Sequence, residues 1–208
     1  MNSAFYIGSV EIIRLLLSAG ADLEYKNFRP WTAPSFLWDP DRTTPEDTDE
    51  ILDICMEKGY TAWNDTDEEG WTPCHRAAAY GRGQDIRNLN HKGGNMLMYS
   101  TNEGWGPITC AVRYANKDTF DALLKILRAE DVVDFRDYRG WSLLHFAAQG
   151  GCEAIVETLL DLGAEPGIVT EPTYYWVIES LEYKALTAEV IAREYGHKKI
   201  CERLAGLK

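Results

Sequence analysis

The sequence predicts an all-α solenoid of about five to six stacked helix-turn-helix units, connected by β-turn or hairpin fingers. A phrase centred on tryptophan recurs at Trp31, Trp71, Trp105 and Trp141, with gaps of 40, 34 and 36 residues. In the clearest copies, such as the one that begins at Trp141, the phrase is followed by a short alanine-rich stretch, a glycine and a longer apolar stretch. A motif that recurs near this period is typical of repeat proteins, in which each unit needs its neighbours to bury one of its faces.

The clearest unit shows why each part of the pattern predicts a helix pair. Its first stretch reads Ser142-Leu-Leu-His-Phe-Ala-Ala-Gln-Gly-Gly151, and its second reads Ala154-Ile-Val-Glu-Thr-Leu-Leu-Asp-Leu-Gly163. The alanines allow two helices to pack closely. In the related phrase Thr72-Pro73, the threonine can cap a helix and the proline is tolerated in its first turn. Gly163 ends the second helix because glycine accepts a left-handed backbone.

These phrases resemble the ankyrin repeat, whose consensus is Gly-x-Thr-Pro-Leu-His-x-Ala-Ala-x-x-Gly-His, followed by a leucine-rich helix that ends in Gly-Ala-Asp. The Gly-Trp-Thr-Pro form is most similar to that of long fungal ankyrin proteins. The resemblance covers nearly the whole chain and implies a single domain, 1–208, with a partial first copy and degenerate third and last copies. The copies are expected at about 4–27, 28–66, 67–100, 101–136, 137–183, including a hairpin insertion at 167–183, and 184–208.

The resemblance assigns structural roles to three of the four histidines. His75 and His145 match the histidine of the Thr-Pro-Leu-His turn, which is expected to hydrogen-bond backbone groups and brace adjoining turns. His197 matches the Gly-His pair before the second helix, and Thr109 replaces the turn histidine in the fourth copy. Only His91 lies outside a motif position.

Composition limits the partners that the chain can bind. The formal net charge of −12 argues against nucleic acid and against an anionic membrane surface. We see no apolar stretch near the ~20 residues of a membrane span, and no basic segment followed by an apolar run. The five cysteines form no Cys-x-x-Cys pair, so buried reduced thiols, a cytoplasmic or nuclear location, no metal site and no cofactor are expected.

Three segments depart from the repeat pattern. Asp39–Asp47 is rich in Asp, Pro and Thr and predicts a non-helical loop between the two helices of the second copy. The second helix of the third copy carries polar residues where apolar ones are expected, which predicts either a frayed helix or a polar pocket lined by Asp85, Arg87, Asn88 and His91. The stretch at 170–183 contains many aromatic residues and favours a lengthened β-hairpin. This hairpin would cover one end of the concave face or close the last repeat.

The resemblance also implies a concave groove, formed by the turn tips and by the exposed face of each first helix. The binding candidates carried onto this groove, or added from the insertion, are Trp31, Trp71, Arg76, Tyr80, Glu69, Glu103, Trp105, Arg113, Tyr114, Tyr138, Arg139, Trp141, Tyr175 and Trp176. Each tryptophan is expected on the solvent side of its turn. The row can lock the register of the repeats by stacking, or it can form a binding face, because Trp, Tyr and Arg dominate binding hot spots.

The first predicted function is a protein-interaction module. An acidic rim of Asp67, Glu68, Glu69 and Glu103 predicts a partner protein or peptide with basic and apolar character. The alternative is a protein that binds a hydrophobic small molecule, or a cofactor-free enzyme of the cyclase or isomerase kind found in secondary metabolism. Its candidate acids and bases are Glu69, Glu103, Asp85 and His91. The sequence shows no nucleophile–base motif, phosphate loop or metal cluster, so binding is expected ahead of catalysis.

A further hypothesis concerns the first copy, which lacks most of its first helix. Its apolar face, with Ile12, Leu15 and Leu16, would then have no cover. This pattern favours either a piece of a longer ankyrin protein or a homodimer formed through the N-terminal repeat.

Overall fold

A computed structural model describes residues 1–26, 30–171 and 185–207. Within these ranges the chain forms twelve α-helices and one short 3-10 turn, and the only β pairing is an isolated bridge. The helices lie in two rows, with the first helix of each repeat in an inner row and the second in an outer row. The predicted all-α solenoid is therefore confirmed.

The inner row contains α1 (Asn2–Ile7), the 3-10 turn (Ala33–Phe36), α4 (Pro73–Tyr80), α6 (Pro107–Arg113), α9 (Leu143–Gly150) and α11 (Ala188–Glu194). The outer row contains α2 (Val10–Ser18), α3 (Pro45–Glu57), α5 (Gly83–His91), α7 (Lys117–Leu124), α10 (Glu153–Asp161) and α12 (Lys198–Ala205). A short helix, α8 (Ala129–Val133), connects α7 to the following finger. Along the inner row α4 packs against α6, α6 against α9 and α9 against α11.

Small side chains form the contact between neighbouring inner helices. Ala77, Ala78, Ala111, Ala147 and Ala148 are fully buried there. The absence of longer side chains brings the helix backbones close together. Each inner helix thus buries a face that it could not bury alone, and the core runs continuously along the stack.

The turn histidines start two of the inner helices and tie them to the next repeat. The backbone N–H of Thr72 donates to Nδ1 of His75 (3.2 Å), and the N–H of His75 donates to the Thr72 hydroxyl oxygen. The other ring nitrogen of His75, Nε2, donates to the carbonyl oxygen of Trp105 (3.1 Å). The same arrangement joins Ser142 and His145 to the carbonyl oxygen of Leu186 (3.0 Å). The predicted bracing role of these histidines is confirmed.

His197 also braces two repeats, whereas Thr109 does not. Nε2 of His197 donates to the carbonyl oxygen of Gln149 (3.0 Å), which links the last repeat to the one before it. Thr109 occupies the histidine position of the fourth copy, and its buried hydroxyl has no hydrogen-bond partner. The threonine side chain is too short to reach the next turn, so the fourth copy lacks this brace.

The segment predicted as a loop, Asp39–Asp47, is helical over its last three residues. Thr44 accepts the backbone N–H of Asp47 (3.1 Å), and the Asp47 carboxylate accepts the N–H of Thr44 (3.2 Å). This capping box, with Pro45 in the first turn, starts α3 within the segment that was predicted to be non-helical. The preceding residues pack on the third repeat, where the Arg82 guanidinium donates to the carbonyl oxygen of Pro40 (2.7 Å).

The second helix of the third copy is intact, so the prediction of a frayed helix is wrong. Its buried Asp85 caps the helix by accepting the backbone N–H of Arg82 (2.7 Å), while Ile86 and Leu89 are fully buried. The predicted polar pocket is also wrong. Asp85 and Asn88 are buried, whereas Arg87 and His91 lie on the exposed side of α5.

The insertion predicted at 167–183 lies mostly outside the described residues, as do Tyr175 and Trp176. The base of the insertion is described. The backbone N–H of Thr170 donates to the carbonyl oxygen of Leu186 (2.9 Å), and Val169 pairs with Thr187 in an antiparallel bridge.

The cysteines only partly match the expectation of buried thiols. Cys55, Cys74 and Cys110 are buried free thiols, and burial raises the pKa of Cys74 to about 12. Cys152 and Cys201, which lie at the start of α10 and on α12, are half-buried. Among the described helices, none is long and apolar enough to cross a membrane.

We expect stability to fall in mild acid because of the turn histidines. Burial lowers the pKa of both His75 and His145 to about 4, whereas a histidine in the unfolded chain titrates near 6.5. Between these pH values the unfolded chain binds more protons than the folded chain. The free energy of unfolding should therefore be highest above about pH 6.5. It should decrease towards pH 4, and at pH 5 the loss should be about 2 kcal/mol per histidine. Urea denaturation at pH 7.5 and 5.0 measures this loss.

The variant His75→Gln serves as the control because it removes one titrating group. It should be less stable than the parent at pH 7.5, but it should lose less free energy of unfolding on going to pH 5.0. An equal loss in both proteins would show that other groups cause the acid sensitivity.

A second prediction concerns the glycine before Trp71. Gly70 has a φ of +80°, and a Cβ atom there would lie 2.0 Å from the carbonyl oxygen of Ser100 in the next finger. Gly93 has a φ of +94° but nothing within 4 Å of the Cβ position. Gly93→Ala should therefore cost only the left-handed strain of about 1–2 kcal/mol. Gly70→Ala should cost at least twice as much in urea denaturation, and similar losses would contradict the close approach of the two fingers.

Candidate functional site on the concave face

The finger tips form one row because backbone hydrogen bonds join each tip to the next. The N–H of Asn102 donates to the carbonyl oxygen of Glu69 (3.2 Å), and the N–H of Tyr138 donates to that of Glu103 (3.4 Å). These links place Glu69, Glu103 and Tyr138 on three successive tips beside the inner helices. The row is one border of the concave face.

A buried carboxylate organises the third finger. Oδ1 of Asp67 accepts the backbone N–H groups of Glu69 (3.0 Å) and Trp71 (2.9 Å), while Oδ2 pairs with the Arg76 guanidinium. The guanidinium carbon of Arg76 lies 3.6 Å from the ring centre of Trp31 and 5.4 Å from that of Trp71. We call Asp67, Arg76, Trp31 and Trp71 the first clamp, because one arginine connects the tryptophans of two neighbouring repeats.

The second clamp, formed by Asp137, Arg139, Trp105 and Trp141, repeats this chemistry. Oδ1 of Asp137 accepts the backbone N–H groups of Arg139 and Trp141 (both 2.9 Å), and Oδ2 accepts from the Arg139 guanidinium (2.8 Å). The guanidinium carbon lies 4.9 Å from the ring centre of Trp141 and 5.9 Å from that of Trp105. Nε1 of Trp105 also donates to Oδ2 of Asp137 (3.3 Å).

The clamps correct two predictions. The tryptophans were expected on the solvent side of their turns, but Trp71 is 8% exposed and Trp141 is 3% exposed, because arginine and neighbouring aromatic side chains cover them. Trp31 and Trp105 are half-buried. Asp67 was expected in the acidic rim, but its carboxylate is buried and paired with Arg76. These residues therefore hold successive repeats in register, with arginine between the indoles.

Two tyrosines form a pair of exposed aromatic rings on the concave face. The rings of Tyr80 and Tyr114 meet edge to face with their centres 5.0 Å apart, and each residue is 45% exposed. Tyr114 also meets the buried Trp71 ring edge to face at 6.1 Å, which fixes its orientation. Partial burial raises the pKa of Tyr80 above its ordinary value, and the neighbouring Tyr114 side chain raises it further.

The other binding candidates lie on the finger tips or at the end of α6. Tyr138 is 76% exposed, and its ring lies against Gly104 of the neighbouring finger. Glu68, Glu69 and Glu103 are exposed on the tips, and Arg113 is half-buried at the end of α6.

The four candidate acids and bases are not assembled into one group. Glu69 and Glu103 lie on adjacent finger tips. Asp85 and His91 lie at opposite ends of α5, in the outer row. Among the described residues, no group of three or more His, Cys, Asp or Glu side chains could hold a metal ion.

A cleft opens in the concave face where the second repeat lacks a full inner helix. Pro34 lies in the 3-10 turn and Pro40 follows shortly after it, so the inner segment is only one turn long. The resulting cleft has a volume of about 430 Å³ and lies between α1 and α4. Its aromatic walls are Tyr6, Trp31, Phe36, Trp38 and Tyr80. We call it the Trp38 cleft.

Sequence reasoning missed Tyr6, Phe36 and Trp38 as parts of this surface. The two prolines were the available signal, because they leave too few residues for a helix of ordinary length. The cleft itself depends on residues from three repeats, which no single repeat copy reveals.

Similarity to known proteins agrees with this architecture. Residues 84–170 match the family model for ankyrin repeats, in three copies. The chain is 42% identical over 73 residues to calmodulin-binding transcription activator 4 of Arabidopsis thaliana, which covers 35% of this chain and 7% of that protein. It is 31% identical over 94 residues to human ankyrin repeat and SOCS box protein 3, which covers 45% of this chain and 18% of that protein.

The chain is also similar to the human transient receptor potential cation channel subfamily A member 1, with 29% identity over 164 residues. This match covers 75% of the chain but 14% of the channel protein. The chain therefore spans less than a fifth of the length of each of these three relatives.

Ankyrin repeats generally act as protein-interaction modules. The matching family model identifies residues 84–170 as ankyrin repeats, and the stacked helix pairs and histidine braces continue the same architecture beyond them.

Proposed function

We propose that the concave face binds a segment of a partner protein that carries basic and apolar residues. The observation that carries this proposal is the exposed Tyr80–Tyr114 pair, held in place by the buried ring of Trp71. Tyrosine offers a large contact area with few rotatable bonds, so an oriented pair loses little conformational entropy when a partner binds. The clamps beneath it keep the repeats in register and hence hold the surface in one shape.

Charge supports a basic partner. The exposed Glu68, Glu69 and Glu103 lie on the finger tips that border the concave face, and the chain carries a formal net charge of −12. The arginines of the two clamps are already paired with Asp67 and Asp137, so they offset little of this field. A complementary charge on the partner raises the association rate and excludes acidic competitors.

A peptide selection tests the proposal. Short random peptides displayed on phage and selected on the parent protein should become enriched in Lys or Arg next to apolar residues. Tyr114→Ala should lower the affinity of a selected peptide about tenfold to thirtyfold, as expected for a hot-spot residue. Glu69→Gln combined with Glu103→Gln should weaken binding at low salt and reduce its salt dependence. Fluorescence polarisation measures each affinity.

The matched control is Met56→Ala. Met56 is also 45% exposed, but it lies on the outer helix α3, away from the concave face. Its replacement should leave the affinity unchanged. The proposal fails if no peptide is enriched, or if Tyr114→Ala and Met56→Ala weaken binding equally while both variants keep the thermal stability of the parent.

One observation favours the alternative of a hydrophobic small molecule. The Trp38 cleft has the volume and the aromatic walls of a small-ligand pocket. However, none of Glu69, Glu103, Asp85 and His91 lines it. The cleft therefore supports binding, and it offers no support for these residues as its acid or base.

The homodimer through the first repeat stays a prediction. Ile12 and Leu15 are exposed on α2, while Leu16 is half-buried. If two copies meet through this face, light scattering at micromolar concentration should give twice the chain mass of 23.6 kDa, and Leu15→Glu should restore the monomer. A monomeric parent protein would exclude this contact under those conditions.

A further inference from the structure

A further cavity lies where the fourth and fifth fingers meet the short helix α8. It has a volume of about 450 Å³, which is in the range of ligand pockets. Tyr99 and Gly104 line it from the fourth finger, Tyr138 lines it from the fifth finger, and the remaining side chains come from the segment 130–136. We call it the α8 pocket. It shares no lining residue with the Trp38 cleft or with the Tyr80–Tyr114 pair, so it is a separate surface.

Aromatic rings form one part of the α8 pocket. The rings of Tyr99 and Phe135 stack with their centres 5.4 Å apart and 21° between their planes. The ring of Tyr138 lies against Gly104, with Cε1 2.9 Å from the position that a Cβ atom there would take. Because residue 104 is glycine, this ring can lie against the backbone of the neighbouring finger. Tyr99 is 39% exposed and Tyr138 is 76% exposed, so a ligand can reach both side chains.

Carboxylates form the other part of the pocket. Glu130 and Asp134 lie one helical turn apart, in α8 and at its end, and both are exposed. Within the described part of the chain, neither of them forms an ion pair. The third carboxylate, Asp131, accepts two hydrogen bonds from the Arg128 guanidinium (3.0 and 2.9 Å) and is therefore already neutralised. Two accessible carboxylates are left for a ligand.

The side chain of Arg136 also lines the pocket, but its guanidinium is bound to the backbone. Its Nη1 donates to the carbonyl oxygens of Val133 (3.1 Å) and Phe135 (2.5 Å), at the end of α8. The lining still has a net negative charge, because it contains three carboxylates and one guanidinium. Carboxylates and aromatic rings both attract a cation. The α8 pocket therefore suits a positively charged ligand.

The two clamps show which cation this combination of groups accommodates. In each clamp an arginine lies beside two indole rings and pairs with a carboxylate, Asp67 or Asp137. A guanidinium is planar and more weakly hydrated than an ammonium, and it has several N–H donors, so it can contact a ring and a carboxylate together. The α8 pocket presents the same two kinds of group to a ligand.

We propose that the α8 pocket binds an arginine side chain of a partner protein. The guanidinium contacts the rings of Tyr99 and Tyr138, and its N–H groups donate to the carboxylates of Glu130 and Asp134. This is a second binding site, and it does not depend on the function proposed for the Tyr80–Tyr114 pair.

The probe is N-acetyl-L-argininamide, which presents the side chain as it occurs within a peptide. Titration followed by ¹H–¹⁵N NMR should shift the backbone amide signals of Gly104 and Tyr138 in a saturable manner. The citrulline analogue has nearly the same shape without the charge, so it should bind about tenfold more weakly. The lysine analogue has the charge without the planar group and should bind about threefold more weakly. Unshifted signals, or equal affinities of the three compounds, would overturn the inference.

The double variant Glu130→Gln, Asp134→Asn removes both charges and nearly preserves the shapes of the side chains. It should bind the arginine compound about fivefold to tenfold more weakly and leave the citrulline compound unaffected. The matched control is Asp161→Asn, Glu165→Gln, which removes the same charge from exposed residues at and beyond the end of α10. The control should bind like the parent. Equal weakening in both double variants would reveal a general effect of net charge and contradict the site. Thermal unfolding verifies that both variants are folded.

Free L-arginine distinguishes a partner protein from a free amino acid as the source of the guanidinium. Its own carboxylate is repelled by the negative pocket, so it should bind more weakly than the amide. Tighter binding of free L-arginine would contradict a partner protein as the ligand.

The variant Tyr114→Ala separates this inference from the proposed function. It should bind the arginine compound like the parent, and a loss of binding would place the guanidinium on the concave face instead of in the α8 pocket. If selected peptides depend on Tyr114 but the arginine compound shifts neither Gly104 nor Tyr138, the proposed function stands and the α8 site is wrong. If no peptide is selected but the compound binds as described, the proposed function fails and the α8 site stands.

Discussion

The close approach of the inner helices is the constraint on which the remaining structure depends. Fully buried alanines at the contacts of α4, α6 and α9 bring the backbones together, and this sets the spacing of the fingers. At that spacing, the Nε2 atom of His75 can reach the Trp105 carbonyl of the next turn. The same spacing lets one arginine contact tryptophans from two repeats. A larger residue at the alanine contacts would therefore loosen the helix packing, the braces and the clamps together.

The architecture was largely predictable because its signals are local and repeated. Capping residues, alanines and terminal glycines recur in several copies, and the roles of the histidines followed from their motif positions. The errors arose where one residue serves a local and a tertiary need at once. Asp85 was interpreted as a polar intrusion into a buried face, but it caps the helix that it begins. Similarly, Thr44, Pro45 and Asp47 were assigned to a loop, although together they specify a helix start.

The concave face was predictable only in part. Tyr80 and Tyr114 follow from their motif positions, and both are exposed. The motif positions do not predict the burial of Trp71 and Trp141. That burial depends on which arginine contacts each ring, and Arg76 and Arg139 occupy different positions in their repeats. The Trp38 cleft depends on the absence of a helix, and a missing element leaves no periodic pattern. Its walls also come from residues far apart in the chain.

The pairing of Thr170 with Leu186 determines how the last repeat is attached to the stack. The backbone N–H of Thr170 donates to the carbonyl oxygen of Leu186 (2.9 Å), and the N–H of Leu186 donates to the Thr170 hydroxyl oxygen (3.1 Å). Val169 pairs with Thr187, the residue that caps the start of α11. Nε2 of His145 donates to the same carbonyl oxygen of Leu186, so the fifth and last repeats meet at one peptide group. Because the bridge and the Thr170–Leu186 bond join backbone groups, changing the side chains of Val169 and Leu186 would leave this link in place.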